Sequence, residues 1–249
     1  MNVEDAKAFA RALGHRESIE GAASLAISGN IVSLQYHMAL QWPWPRQFAY
    51  CLEYVAVASA AELAESIDSG QELVVSLFHP DLEVQEEILE ESGLTRAWLS
   101  PIMGRDLSQA CPRLPSPHIE ICEVTSRKDR LRFNSVQGIS NHSETLDDHI
   151  HYFYIELEAK VVAKGQLIYL GDGTAYISDL YTSRSHRQQG LCTAMMSVLE
   201  DKARSLGAER AVLAPGLEQI KMKLYERFGY SCTATRSVLI PIEDPEGAA

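Results

Sequence analysis

The stretch Thr182-Ser-Arg184-Ser-His-Arg187-Gln-Gln-Gly190-Leu-Cys192-Thr193, read with its flanks, decides how this chain folds. Upstream, Ala175 to Thr182 is β-branched and aromatic and predicts a strand. Downstream, Leu191, Ala194, Met195, Val198, Leu199 and Ala203 recur at threes and fours. That spacing predicts one face of a helix that starts at or just after Gln189 and ends before Gly207. The loop between them is short, basic and polar. Free N–H groups at a helix N-terminus, approached through a glycine with no Cβ, form a seat for an anion such as a pyrophosphate. Arg184 and Arg187 stand where phosphate oxygens need charged donors. Arg-x-x-Gly before a helix also occurs for packing and solubility alone, so the loop needs its context.

Working outward, Ile119 to Val124 reads as a short strand, Lys128 to Ser140 as a helix, and His142 to His149 as a second, polar helical piece. His151 to Leu157 and Lys160 to Leu170 read as strands, with Gly171-Asp-Gly-Thr174 a hairpin turn. Ala211 to Ala214 is a short buried strand, Glu218 to Phe228 a helix closed by Gly229, and Tyr230 to Ile242 a further strand. Helices that interrupt a sheet in this way mean α/β or α+β layers. Nearer the N-terminus, Asp5 to Leu13 and Ala60 to Ile67 look helical, Leu73 to Phe78 looks like a strand, and Leu82 to Ser92 is an acidic helix closed by Gly93. Three prolines between Pro112 and Pro117 cannot continue a helix or a central strand. The expected organisation is therefore an N-terminal domain over 1–113, a linker over 114–118 and a C-terminal domain over 119–249. The run Ile88-Leu-Glu-Glu-Ser-Gly93 echoes Leu224-Tyr-Glu-Arg-Phe-Gly229, so a divergent duplication stands beside the plainer reading that helix–Gly–strand is common.

Composition narrows the function. The 249 residues carry 22 Lys plus Arg against 34 Asp plus Glu, a formal charge of -12. This balance excludes a basic nucleic-acid binder, which needs clustered cations against phosphate. Residues 1–117 are net -9 and residues 118–249 net -3, so the excess lies away from the basic loop. No stretch approaches the roughly 20 apolar residues of a membrane span, and the acidic Met1–Asp5 start is unlike a signal peptide. The 5 cysteines spell neither a disulfide ladder nor a CxxC metal knuckle. The expectation is a soluble, reduced, cytoplasmic protein.

Arg187-Gln-Gln-Gly190-Leu-Cys192 after a strand, then a long amphipathic helix, a short strand and Leu224-Tyr225-Glu-Arg-Phe-Gly229-Tyr230, resembles the GNAT superfamily of N-acetyltransferases. The resemblance covers roughly residues 119–242. It implies a mixed, mostly antiparallel sheet flanked by helices, with the N-terminal α/β domain a degenerate copy or an accessory lid. Two positions depart from the family pattern. Cys192 stands where Gly or Ala is usual, and Glu218 stands where Asn is common, which bears on a secondary cofactor contact.

The resemblance also implies acetyl-CoA, or another acyl-CoA, as co-substrate and no metal. The acyl-CoA would lie where two parallel strands splay apart, its pantetheine along Leu180, Tyr181 and Thr182, and its pyrophosphate on Arg187 and the amides of Gln188, Gln189, Gly190, Leu191, Cys192 and Thr193. Tyr225 would be the acid for the departing thiolate; alternatively it packs a helix face. Asp179 is the candidate base for the attacking ammonium, or a carboxylate that only binds a cationic acceptor, with Glu156 and Glu158 as weaker alternatives. The implied reaction is direct acetyl transfer to a primary amine of a small molecule. The alternatives are a protein or peptide N-acetyltransferase and a non-catalytic acyl-CoA sensor. A homodimer is compatible with the sequence.

His142, His149 and His151 with Asp147 and Asp148 invite a metal reading, but no HExxH helix accompanies them, and the segment reads better as a flank of the acceptor cleft. Gln41-Trp42-Pro43-Trp44-Pro45 is either an aromatic recognition lip or a packed interdomain plug. The acidic run Glu83 to Glu91 reads as a solvated helix face.

Overall fold

The computed structural model describes residues 1–19, 23–36, 52–64, 73–109, 119–136, 144–215 and 219–242. In chain order the elements are α1 (Val3–Ile19), β1 (Ala23–Ser28), β2 (Ile31–Tyr36), β3 (Leu52–Ala56), α2 (Ala60–Ala64), β4 (Leu73–Leu77), α3 (Leu82–Glu91), β5 (Leu94–Asp106), β6 (Cys122–Glu123), α4 (Arg127–Asn134), β7 (Ile150–Leu157), β8 (Lys160–Tyr169), β9 (Thr174–Thr182), α5 (Leu191–Ser205), β10 (Arg210–Leu213), α6 (Gln219–Arg227) and β11 (Ser231–Pro241). The chain forms two compact units, Met1–Ile102 with Cys232–Ala249, and Met103–Ser231.

In the first unit β1, β2 and β3 pair antiparallel, β3 and β4 pair parallel, and β11 adds antiparallel to β4. Gly29 and Asn30 turn the β1–β2 hairpin, where glycine supplies a φ of 57°. One core cluster gathers Tyr54, Ala56, Val75 and Leu77 with Leu63, Leu89 and Leu239. Glu53 is 2% exposed and accepts hydrogen bonds from the Tyr36 hydroxyl at 2.9 Å and the Ser76 hydroxyl at 2.8 Å, which offset its burial.

In the second unit β7, β8 and β9 pair antiparallel, β9 and β10 pair parallel, and Met103–Asp106 of β5 adds antiparallel to β10. The antiparallel, antiparallel, parallel, antiparallel order thus recurs. In each unit the fifth strand comes from the other half of the chain. Strand pairing, not the proline-rich run, sets the units: the second begins at Met103, and residues 232–249 return to the first. The expected linker, 114–118, lies outside the described residues.

The apolar stripe read in 191–203 is the buried face of α5, where Leu191, Met195, Leu199 and Ala203 pack into a cluster with Ala163, Leu167, Ile177 and Leu213. α4 is capped by Ser126, whose hydroxyl accepts from the Asp129 amide at 3.2 Å. Two local readings change. The described part of the expected His142–His149 helix is a turn with a bridge between Asp147 and Ile150. The expected Ile119–Val124 strand shortens to Cys122–Glu123.

Candidate functional site

The site is built where β9 outruns β10. Their parallel ladder ends at Ile177 opposite Leu213, and Pro215 follows two residues on, with no N–H to extend it. β9 continues through Ser178–Thr182, held on its β8 side, where Gln166 faces Ser178, Lys164 faces Tyr181 and Ala163 faces Thr182. Among the described residues, no ladder covers the other edge of that overhang.

Within the overhang the register slips, so that Asp179 and Leu180 together face Gly165. Asp179 takes a φ of 50°, the left-handed backbone of a β-bulge. Gly165 is what lets the bulge close: an added Cβ would lie 2.8 Å from Leu199 Cδ1, 2.9 Å from Met195 Cγ and 3.1 Å from Leu180 Cδ2. The sequence reading passed over Gly165, although a glycine inside a strand is the usual sign of a bulge or a close approach.

After β9, the Ser183 amide donates to Val162 O at 2.8 Å and a 3-10 turn covers Arg184–His186. The hydroxyls of Ser183 and Ser185 lie 2.7 and 3.0 Å from His186 Nδ1. Gln188 and Gly190 adopt φ values of 61° and 80°, which turns the chain into α5. Gly190 is the N-cap of this helix and makes no side-chain cap. The helical ladder starts with Ala194, whose amide donates to Gly190 O at 3.0 Å. The first-turn amides before it therefore have no intrahelical acceptor and, among the described residues, meet no capping side chain, the electrostatic setting of an anion seat. Arg184 and Arg187 are exposed beside it, but Arg187 Nε donates to Thr182 O at 3.1 Å, so this arginine also pins the loop to the strand end.

Tyr225 reaches the same helix start from α6. It is 8% exposed and stacks edge-on to Tyr230 at 6.4 Å. Burial pushes its phenol well above the ordinary value, and nearby Cys192 and Tyr176 add to the shift. Burial also pushes the Cys192 thiol up to about 11. The structure thus brings Tyr225 and Cys192 together as neutral groups. Asp179 sits half-buried on the bulge. The weaker carboxylates are placed otherwise: Glu156 is 3.9 Å from Arg132 Nε, and Glu158, expected on the same strand face, is a turn residue with φ 50°.

The histidines do not converge. His151 Nδ1 lies 3.6 Å from Glu123, whose carboxylate also binds Lys202 at 2.6 Å. Burial and Lys202 hold the His151 pKa below its usual value against the opposing pull of Glu123. His149 Nδ1 lies 3.2 Å from Tyr169 O. Among the described residues no group of three or more His, Cys, Asp or Glu is placed to hold a metal. His142, Glu218 and the Trp42–Trp44 segment lie outside the described residues.

Alternation along β8 places Lys164 and Gln166 on the face opposite Gly165. There Arg130 lies 3.7 Å over the Tyr152 ring, Lys164 Nζ lies 4.7 Å from the Phe133 centroid, and Ser178 donates to Gln166 at 2.7 Å. The polar pair in an otherwise apolar run was the available signal for this face.

Residues 118–230 match the model of the Acetyltransferase (GNAT) family. This part of the chain belongs to that family. The likeness of fold extends over both units. A GCN5-related N-acetyltransferase from Kribbella flavida is 20% identical with a TM-score of 0.65, over 94% of this chain and 96% of that one. A GCN5-related N-acetyltransferase from Sphaerobacter thermophilus is 12% identical with a TM-score of 0.55, over 98% and 95%. A tandem GNAT protein from the clavulanic acid biosynthesis pathway is 10% identical with a TM-score of 0.59, over 98% and 97%. No curated protein matches the sequence. The mixed sheet flanked by helices is the GNAT fold, and the family is one of acyl-CoA-dependent acetyltransferases. No described helix is long and apolar enough to cross a membrane.

Proposed function

We propose that the GNAT domain transfers acetyl from acetyl-CoA to a primary amine of a small molecule. The observation that carries this reading is the β9 overhang, an unpaired strand edge that leads directly into the uncapped start of α5. An extended amide-bearing arm pairs with such an edge as an added strand would, here along Leu180, Tyr181 and Thr182. Pyrophosphate oxygens then accept from the amides of Gln188, Gln189, Gly190, Leu191, Cys192 and Thr193, with Arg187 adding charge.

In the reaction the amine nitrogen forms a bond to the thioester carbonyl carbon and the carbon–sulfur bond breaks. The sulfur leaves with the electron pair and takes the Tyr225 phenolic proton, which burial keeps on the phenol until that moment. Asp179, on the bulge beside the reacting carbonyl, takes the ammonium proton directly or through water. A carboxylate at the mouth also favours a cationic acceptor over a neutral one.

The test is CoA release from acetyl-CoA across a panel of small amines, amino acids and N-terminal peptides. Turnover confined to small amines is the expected result. Turnover on peptides alone would move the acceptor class to proteins, and tight acetyl-CoA binding without turnover would make the protein a sensor.

A further inference from the structure

The two units repeat one pairing order, so each part of the candidate site has a counterpart in the first unit. There β3, α2 and β4 stand where β9, α5 and β10 stand in the second, and each unit follows its fourth strand with a helix that ends at a left-handed glycine, Gly93 or Gly229. The features that open the site in the second unit are closed in the first.

The strands come first. β3 does not outrun β4: their ladder runs from Leu52 opposite Leu73 to Ala56 opposite Leu77, and the Phe78 amide closes it by donating to Ala56 O at 2.8 Å. The next amide, Val57, donates to Asn30 O at 3.0 Å. No edge is left there for an added arm.

The helix start comes second. Val57, Ala58 and Ser59 join β3 to α2 with neither an arginine nor a glycine. The Ser59 amide and hydroxyl both donate to Glu62 Oε2 at 2.8 Å, and the Glu62 amide donates back to Ser59 Oγ at 3.3 Å. This is a capping box. The Ala60 amide donates to Gln85 Oε1 of α3 at 2.6 Å. A carboxylate of the protein therefore lies where an anion would bind, and the Ser59 amide holds it below the usual carboxyl range, so it is charged near neutral pH. The net charge of -9 over residues 1–117 acts in the same direction on a polyanion.

We infer that the chain binds a single acyl-CoA, in the second unit, and that the counterpart site of the first unit is filled by the side chains of Glu62 and Gln85. This inference rests on the acyl-CoA reading of the second unit.

Calorimetric titration of the full chain with acetyl-CoA, with native mass spectrometry to count bound molecules, tests both claims. The expected result is one molecule per chain. Gly190→Trp, which fills the cradle, and Gly190→Asp, which sets a carboxylate at the start of α5 as Glu62 sets one at the start of α2, should each weaken binding by at least roughly 100-fold. Circular dichroism and thermal melting check that each variant is folded, and two different variants guard against one that is not. Glu62→Gln and Gln85→Ala should leave the stoichiometry at one and the affinity within about twofold, because both residues belong to the first unit, and Gln85→Ala should lower Tm, because the Ala60 amide loses its acceptor. Two molecules per chain, or one molecule that survives both Gly190 variants, would overturn the inference while leaving acyl-CoA binding intact. No binding to the wild-type chain would instead overturn the acyl-CoA reading itself.

Discussion

Alanine at Gly165 tests whether the bulge is held by close packing. The new Cβ would lie 2.8 Å from Leu199 Cδ1 and 2.9 Å from Met195 Cγ on α5, and 3.1 Å from Leu180 Cδ2 on the bulge. Carbon atoms rest about 3.5–4.0 Å apart, so each contact must open by roughly half an ångström or more. Overpacking of this kind costs about 1–3 kcal/mol, and removing a glycine from the unfolded chain offsets about 0.4–1 kcal/mol. Overpacking wins, with a net loss of about 0.5–2 kcal/mol. For a chain of this size that lowers Tm by roughly 1–8 °C. The α5 side of the contact is fixed by Met195, Leu199 and Ala203, each at most 1% exposed, so Leu180 yields and the bulge moves with it. Thermal melting should show the Tm loss, and steady-state kinetics should show kcat down at least roughly tenfold, as expected for a small displacement at a reacting centre. Leu199→Ala makes room for the methyl, so Gly165→Ala with Leu199→Ala should cost less than the two single changes combined, by about 1 kcal/mol. Strict additivity, or a Tm within a degree of wild type with unchanged kcat, would refute the packing argument.

Tyr225→Phe should lower kcat while leaving acetyl-CoA affinity within about twofold, since only the transition state uses the hydroxyl; an unchanged kcat with chemistry rate-limiting removes Tyr225 from the mechanism. Mass-resolved alkylation at pH 8 should modify exposed Cys232 and spare Cys192, whose thiol titrates near 11, so that its labelling rises only as pH climbs towards that value. Equal labelling of the two at pH 8 would contradict the burial of Cys192. A fragment covering 119–249 should fail to give a cooperative melt, because it lacks the Met103–Asp106 partner of β10 and leaves Glu200, 1% exposed, without Arg105 at 2.5 Å. Losing one member of a buried pair costs up to about 3–5 kcal/mol, less here because Arg204 still lies 3.2 Å from Glu200; a fragment that melts cooperatively and binds acetyl-CoA would show that the fold needs neither the Met103–Asp106 strand nor Arg105.

Much of the candidate site was legible because its signals are local. The apolar repeat from Leu191 to Ala203, the glycine that starts it and the helix-ending Gly229 each depend on the conformation of a few neighbouring residues, and all three recur in the structure. The first unit was harder to read. β1 and β2 are short, although the Gly29-Asn30 turn between them was a usable hairpin signal. β5 was missed because Pro101 interrupts it. The strand survives because its ladder with β10 begins at Met103, beyond the residue that has no N–H.

By itself, then, the sequence determined the helices α1, α3, α5 and α6, the left-handed glycines Gly93, Gly190, Gly207 and Gly229 at helix ends, and the resemblance to the acetyltransferases, all set by periodicity and backbone preference over short spans, whereas the expected helix at His142–His149 is a turn where it is described. Only the tertiary structure decided that β5 and β11 each complete the other half's sheet, that β9 outruns β10 while β3 does not outrun β4, and that Asp179 and Leu180 bulge against Gly165. The physical reason is that a strand's side-chain alternation tells which face is buried but not which distant strand satisfies its N–H and C=O groups. That choice is made by non-local hydrogen bonding and by close packing such as that of Leu180 and Leu199 over Gly165.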